Sequence, residues 1–344
     1  AANNTAVGFS SLVANTTGTP NVAVGSNALC ANTTGTNNVA LGRSALKVNT
    51  TSSSNTAIGS FSLATNTGSN NTAVGRESLY SNTTATDNTA VGFCALVSNT
   101  SGGNNNSFGS ISLNANTTGT NNVAMGNASL CGNTTGNCNV GIGRNALRCN
   151  TTASNNTALG TEALCANTTA SSNTAVGYAS LNANTTASNN TAVGHQSLYS
   201  NTTGASNTVV GKDALYKNTT GTSNTANGRG ALQCNTTASN NTAVGFCSLF
   251  ANSTGGNNTA VGTSTLLNNT IGASNVAVGF SALNANTTGS DNNAVGRCAL
   301  FSNVDGASNN AFGRNALYNN TSGANNVAIG CGALTANTTA SNNT

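Results

Sequence analysis

A 17-residue period, one leucine column and two asparagine columns that never break predict an all-β chain, a parallel β-solenoid of about twenty coils. Anchored on the glycine of the Ala-Val-Gly segment, the copies run Gly8, Gly25, Gly42 and onward to Gly330. There are twenty, spaced 17 apart except Gly59 to Gly75, which is 16. Leucine stands four residues after every glycine, as Leu12, Leu29, Leu46 and so on to Leu334. Asparagine stands seven after it (Asn15, Asn32, Asn49 through Asn337) and four before it (Asn4, Asn21, Asn38 through Asn326). A copy with one Leu, one Val and a few Ala buries too little apolar surface to offset its own ordering entropy, so it must stack on its neighbours.

Each element of the coil follows in order. Thr-Ala-Val makes a short strand in which the first and third residues share a face and Ala takes the other. The glycine allows a bend that a Cβ would obstruct. Ala/Ser-Leu-x-x then reads as a second short strand with Leu inward, and Asn-Thr-Thr-Gly closes the coil with turn chemistry. Coils paired at about 4.8 Å bring each Asn column into a ladder of amides. Low complexity alone would fit disorder, but twenty leucines and forty asparagines in register oppose it. Residues 1–344 are expected to form one continuous repeat domain, a piece of a longer array.

Composition removes most chemistry. Only 5% of the residues are charged, His195, Met125 and Pro20 are each the single residue of their type, and tryptophan is absent. No nucleophile, base and orienting group form a set, so no enzyme is expected. A net charge of +4 without a basic run predicts no nucleic-acid partner. No apolar stretch reaches the roughly 18 residues of a membrane span. A metal or other cofactor is not expected either: there is no Cys-x-x-Cys, His195 is alone, and Glu77, Asp87, Glu162, Asp213, Asp291 and Asp305 never cluster.

The segments Asn173–Leu181 and Asn241–Leu249, which read Asn-Thr-Ala-Val-Gly-x-x-Ser-Leu, resemble the head repeats of YadA-like trimeric autotransporter adhesins. With the Asn-Thr-Thr-Gly turn included, the whole chain is similar to tail-fibre-like repeats of phages and environmental bacteria. The resemblance implies a left-handed parallel β-roll, surface exposure, adhesive or fibre-forming use and a homotrimer. The YadA-type unit is shorter than 17 residues, and no anchor, stalk or chaperone segment is seen here. A likeness of Val-Gly-x-x-Ala/Ser to hexapeptide β-helices lapses because it does not recur every six residues.

Surface columns supply the candidate sites. Asn-Thr-Thr and its variants make N-glycosylation sequons at Asn15, Asn32, Asn49, Asn82, Asn99, Asn116, Asn133, Asn150, Asn167, Asn184, Asn201, Asn218, Asn235, Asn252, Asn286, Asn320 and Asn337. The same Asn persists where the sequon fails, at Asn66, Asn269 and Asn303, so the turn or ladder is the column's first requirement. A second sequon set, such as Asn70-Asn71-Thr72 and Asn155-Asn156-Thr157, occurs in a minority of copies.

Aromatic residues gather one after the glycine (Phe9, Phe93, Tyr178, Phe246, Phe280) and five after it (Tyr80, Tyr199, Tyr216, Phe250, Phe301, Tyr318). Arg43, Arg76, Arg144, Lys212, Arg229, Arg297 and Arg314 share the first column. Such a ridge suits a lateral interface or a sugar-stacking surface, or is merely scattered surface. Among the ten cysteines, Cys131, Cys149 and Cys165 fall in consecutive coils at neighbouring columns, where one disulfide fits.

The function expected is that of a structural subunit of an extracellular or virion-surface fibre, a stiff shaft that associates with itself and carries or binds glycans. Two alternatives remain: an adhesin that binds glycans through the aromatic and Arg ridge, and an ice-binding solenoid. The last is disfavoured because the paired threonines are adjacent and lie in the turn.

Overall fold

The computed structural model describes residues 2–344, and every regular element in it is a β-strand of three residues. Twenty such strands, one per coil, define a parallel β-solenoid repeating at 17-residue spacing. The coils group into two units, Ala1–Ser172 and Asn173–Thr344. The first holds ten strands, from β1 (Thr5–Val7) to β10 (Thr157–Leu159), each paired in parallel with the next. The second holds the other ten, from β11 (Thr174–Val176) to β20 (Val327–Ile329), paired the same way. Register is strict: Thr174 faces Thr191, Ala175 faces Ala192 and Val176 faces Val193.

Within the strand the central residue points in. It is alanine in seventeen copies and Ser107, Gly141 or Val209 in the others. Ala23, Ala40, Ala192 and Ala243 are completely buried, whereas the flanking Thr or Val and the residue before the glycine face outward. A core this thin takes the small central residue of the strand, the leucine, and the Ala or Ser just before it, such as Ala28, Ala45 and Ala95.

The predicted second strand is absent. After the glycine the chain runs through consecutive turns to the Asn column, because all twenty leucines adopt left-handed backbone with φ between 47° and 53°. That conformation costs a non-glycine residue about 1–2 kcal/mol, and full burial of a leucine returns about 1.5–3 kcal/mol. The two terms roughly cancel, so the leucine secures the path of the coil more than its net stability. Bonds on both sides hold the path: Leu29 N donates to Ala45 O of the next coil at 2.9 Å, and within the coil Asn32 N donates to Leu29 O at 3.2 Å. Two more positions per coil are left-handed, two residues after the glycine and, except at Pro20, five before the next, and the latter is mostly Asn, Ser or Asp, the residues that tolerate this region best.

The anchoring glycine has φ between +125° and +142°. A Cβ on Gly25 would sit 2.6 Å from the Gly42 carbonyl oxygen, and one on Gly8 2.8 Å from that of Gly25. The column is therefore glycine on two grounds, backbone conformation and the close approach of the next coil.

Candidate functional site

The two asparagine columns form the interior polar machinery. In the first, Asn32 Nδ2 donates to Asn15 Oδ1 at 2.8 Å and to the Gly35 carbonyl at 3.1 Å. Asn49 repeats this with Asn32 and Ser52. In the second, Asn21 N donates to Asn4 Oδ1 at 2.7 Å and Asn38 N to Asn21 Oδ1 at 3.0 Å. Asn21 Nδ2 then reaches the same Gly35 carbonyl at 2.9 Å, so both ladders converge on one turn oxygen per coil.

This ladder occupies the turn sequons. Of the seventeen turn sequons, fifteen have an asparagine with no exposed surface; Asn15 and Asn337 alone are partly exposed. The amide a glycan would occupy is already donating both hydrogens in dry surroundings, as Asn218 Nδ2 does to Asn201 Oδ1 (2.8 Å) and to the Gly221 carbonyl (3.0 Å). A sugar there would displace the bonds that close the turn. Asparagines of the minority sequon set, such as Asn70 and Asn155, are exposed instead.

No disulfide joins Cys131, Cys149 and Cys165 in this structure, where all ten cysteines are free thiols. Cys149 N donates to Cys165 O at 3.0 Å, so the neighbouring coils meet through backbone at this point. The three thiols share the field of Arg148, which opposes the rise that burial imposes on the Cys131 and Cys165 thiols. The Arg148 guanidinium is in turn held above its ordinary range, chiefly by its contact with the Cys149 side chain.

The aromatic and basic ridge resolves into stacks one coil apart. Tyr199 lies on Tyr216 (centroids 5.2 Å, 6° between planes) and Phe301 on Tyr318 (5.1 Å, 5°). Tyr178 stacks with His195 at 5.3 Å, and the Arg76 and Arg229 guanidiniums lie over Phe93 and Phe246 at 5.8 and 5.6 Å. Phe9 and Phe280 are 76% and 53% exposed. Ion pairs thread the same surface, Arg144 with Glu162 at 3.5 Å and Lys212 with Asp213 at 3.8 Å.

Two features escaped the sequence reading. One is a cavity of about 380 Å³ lined by Phe61, Glu77, Tyr80 and Val97. Phe61 lies outside both aromatic columns, two residues after its glycine, and the signal for the site was its place beside Glu77 in the next coil. The other is the outward strand face, where the residue before the glycine is apolar in nineteen of twenty copies yet stands in solvent. Leu41 is 44% exposed, Met125 41% and Phe312 42%.

Among the described residues no three His, Cys, Asp or Glu side chains converge as a metal set, and no helix is long and apolar enough to cross a membrane. The fold and its two ladders define a parallel β-solenoid repeat protein. No known protein family matches the chain, and no curated protein aligns with it.

Proposed function

We propose that the chain is the repeat shaft of an extracellular or virion-surface fibre, acting through length, rigidity and association with copies of itself, with no catalytic step. The observation that carries this is the division of every coil: inward positions serve stacking alone, while the outward strand face carries no charge and sets an apolar column, broken only at Asn227, beside one of Thr, Val and Asn. In each unit ten three-residue strands at about 4.8 Å make a strip of roughly 480 Å², with the apolar column running along one side of it. A second copy, with the same coil rise, matches such a strip side chain for side chain along its length. Static light scattering over a concentration series, with negative-stain images, tests the reading. Wild type should assemble side by side and Val244→Lys/Val261→Lys should not; a wild-type chain that stays monomeric throughout overturns it.

A second reading has support in one stretch. From Thr174 to Thr259 six consecutive strands present threonine, each two residues before Val176, Val193, Val210, Asn227, Val244 or Val261. The strand thus offers the flat Thr-x-Val array that the turn threonines could not, and ice is the surface it would meet. Thermal hysteresis of the monomeric protein decides this reading: its presence, lost in Thr208→Lys, supports ice binding, and its absence removes it.

A further inference from the structure

We propose that the recess between Phe61, Glu77, Tyr80 and Val97 is a binding subsite for a neutral saccharide. Its walls come from three successive coils of the first unit: Phe61 from one, Glu77 and Tyr80 from the next, Val97 from the third. The Phe61 and Tyr80 rings meet edge to face, centroids 6.3 Å apart at 63°, so they close two sides of the recess at an angle instead of stacking flat as the other ridge pairs do. At about 380 Å³ the cavity is within the range of small-molecule sites.

The polar group fixes the class of ligand. Glu77 Oε1 accepts from both Nε (3.1 Å) and Nη2 (2.8 Å) of Arg76, which pins the carboxylate in one orientation. Glu77 Oε2 meets only the weak thiol donor of Cys94 at 3.6 Å, leaving acceptor capacity for hydroxyl donors, and a bond to a charged oxygen is stronger than a neutral one. An aromatic wall beside a fixed acceptor suits a ring with an apolar C–H face and equatorial hydroxyls.

Charge argues against the alternatives. Arg76 neutralises Glu77, and the Arg43 guanidinium already lies over the Phe61 ring at 5.2 Å, so a cationic ligand finds its partners engaged. An anionic ligand would meet Glu77 Oε2, the carboxylate oxygen that Arg76 does not bind. A neutral pyranose meets neither objection, and the site is independent of whether copies of the chain associate.

The test is binding of the full 344-residue chain to an immobilised panel of neutral, acidic and amine-bearing oligosaccharides, followed by calorimetry on any that bind. Neutral members should bind, with affinity lowered at least about tenfold in Tyr80→Ala and in Glu77→Gln, while replacing a stacked ridge tyrosine that does not line the recess, Tyr199→Ala, leaves it unchanged. The circular dichroism melt should be the same in all four proteins, since none of these side chains is buried. No neutral saccharide bound, preference for the amine-bearing members, or an equal loss in Tyr199→Ala would each overturn the assignment.

Discussion

Replacing Asn218 by alanine isolates the contribution of one rung of the buried ladder. Asn218 has no exposed surface; its Nδ2 donates to Asn201 Oδ1 at 2.8 Å and to the Gly221 carbonyl at 3.0 Å, and its Oδ1 accepts from Asn235 Nδ2 at 2.9 Å. Alanine leaves Asn201 Oδ1 and one Asn235 Nδ2 hydrogen without a partner, whereas the Gly221 carbonyl keeps its bond from Asn207 Nδ2. At about 1–2 kcal/mol for each orphaned group, the loss is roughly 2–4 kcal/mol. Solenoid repeats interact only with their neighbours, so the damage should begin locally. Hydrogen exchange should show the amides of Thr202, Thr219 and Thr236 losing protection first, and the guanidinium midpoint should fall. Thr219→Ala removes one partly exposed bond from Thr219 Oγ1 to Thr236 O (3.1 Å) and should cost less than about 1 kcal/mol. Equal effects from the two substitutions would refute the view that the column is buried and fully engaged.

Three further outcomes follow from the same geometry. Gly211→Ala places a Cβ 2.6 Å from the Gly228 carbonyl oxygen at φ +136°; both overlap and strain act, so loss of at least about 3 kcal/mol is expected by denaturant titration, and a near-neutral result would refute the close approach. Burial raises the Cys94, Cys131, Cys165 and Cys247 thiols above their ordinary value of 9.0. The folded chain then keeps protons the unfolded chain releases, so stability is full below pH 9 and falls as pH climbs through the raised range; iodoacetamide at pH 8 should label Cys138 and Cys331, both exposed, before Cys131 and Cys165. Inserting a threonine after Thr67 restores 17 residues to the short coil and should stabilise the first unit by about 1–3 kcal/mol, because Asn49 Oδ1, now buried without a donor, regains one; a lower melting temperature would contradict this.

The solenoid was legible because stacking demands the same residue at the same place in each coil, and the Leu and Asn columns repeat without a gap. The second strand was misread for a physical reason. Leucine seldom adopts φ near +50°, so nothing in Ala-Leu-x-x announces it; only the inter-coil bonds and the burial impose it. Which face of Thr-Ala-Val turns inward had a readable signal, the near-uniform small residue at its centre: a thin core has room for Ala73 but not for a column of valines. The sequons show the converse difficulty. Asn-Thr-Thr is one string with two chemical meanings, and burial, which a single sequence does not display, selects the ladder. The recess at Tyr80 depends on side chains from three coils and becomes visible only once their columns are superposed in space.

The coil from Gly59 to Gly75 shows how this architecture keeps count. It lacks one residue, yet the strand β4 (Thr56–Ile58) still faces β5 (Thr72–Val74) with Thr56 opposite Thr72, and the whole deficit falls in the turn, where Asn66 Nδ2 closes on the Gly68 carbonyl at 2.7 Å. A slip carried into the strand would exchange its inner and outer side chains. Phase is therefore reset at each pass by the strand and the glycine, so an error in length does not accumulate from coil to coil. The outer turn behaves as a tolerance joint, the place where such an array can gain or lose residues, through replication slippage or by design, while the columns on either side stay in step.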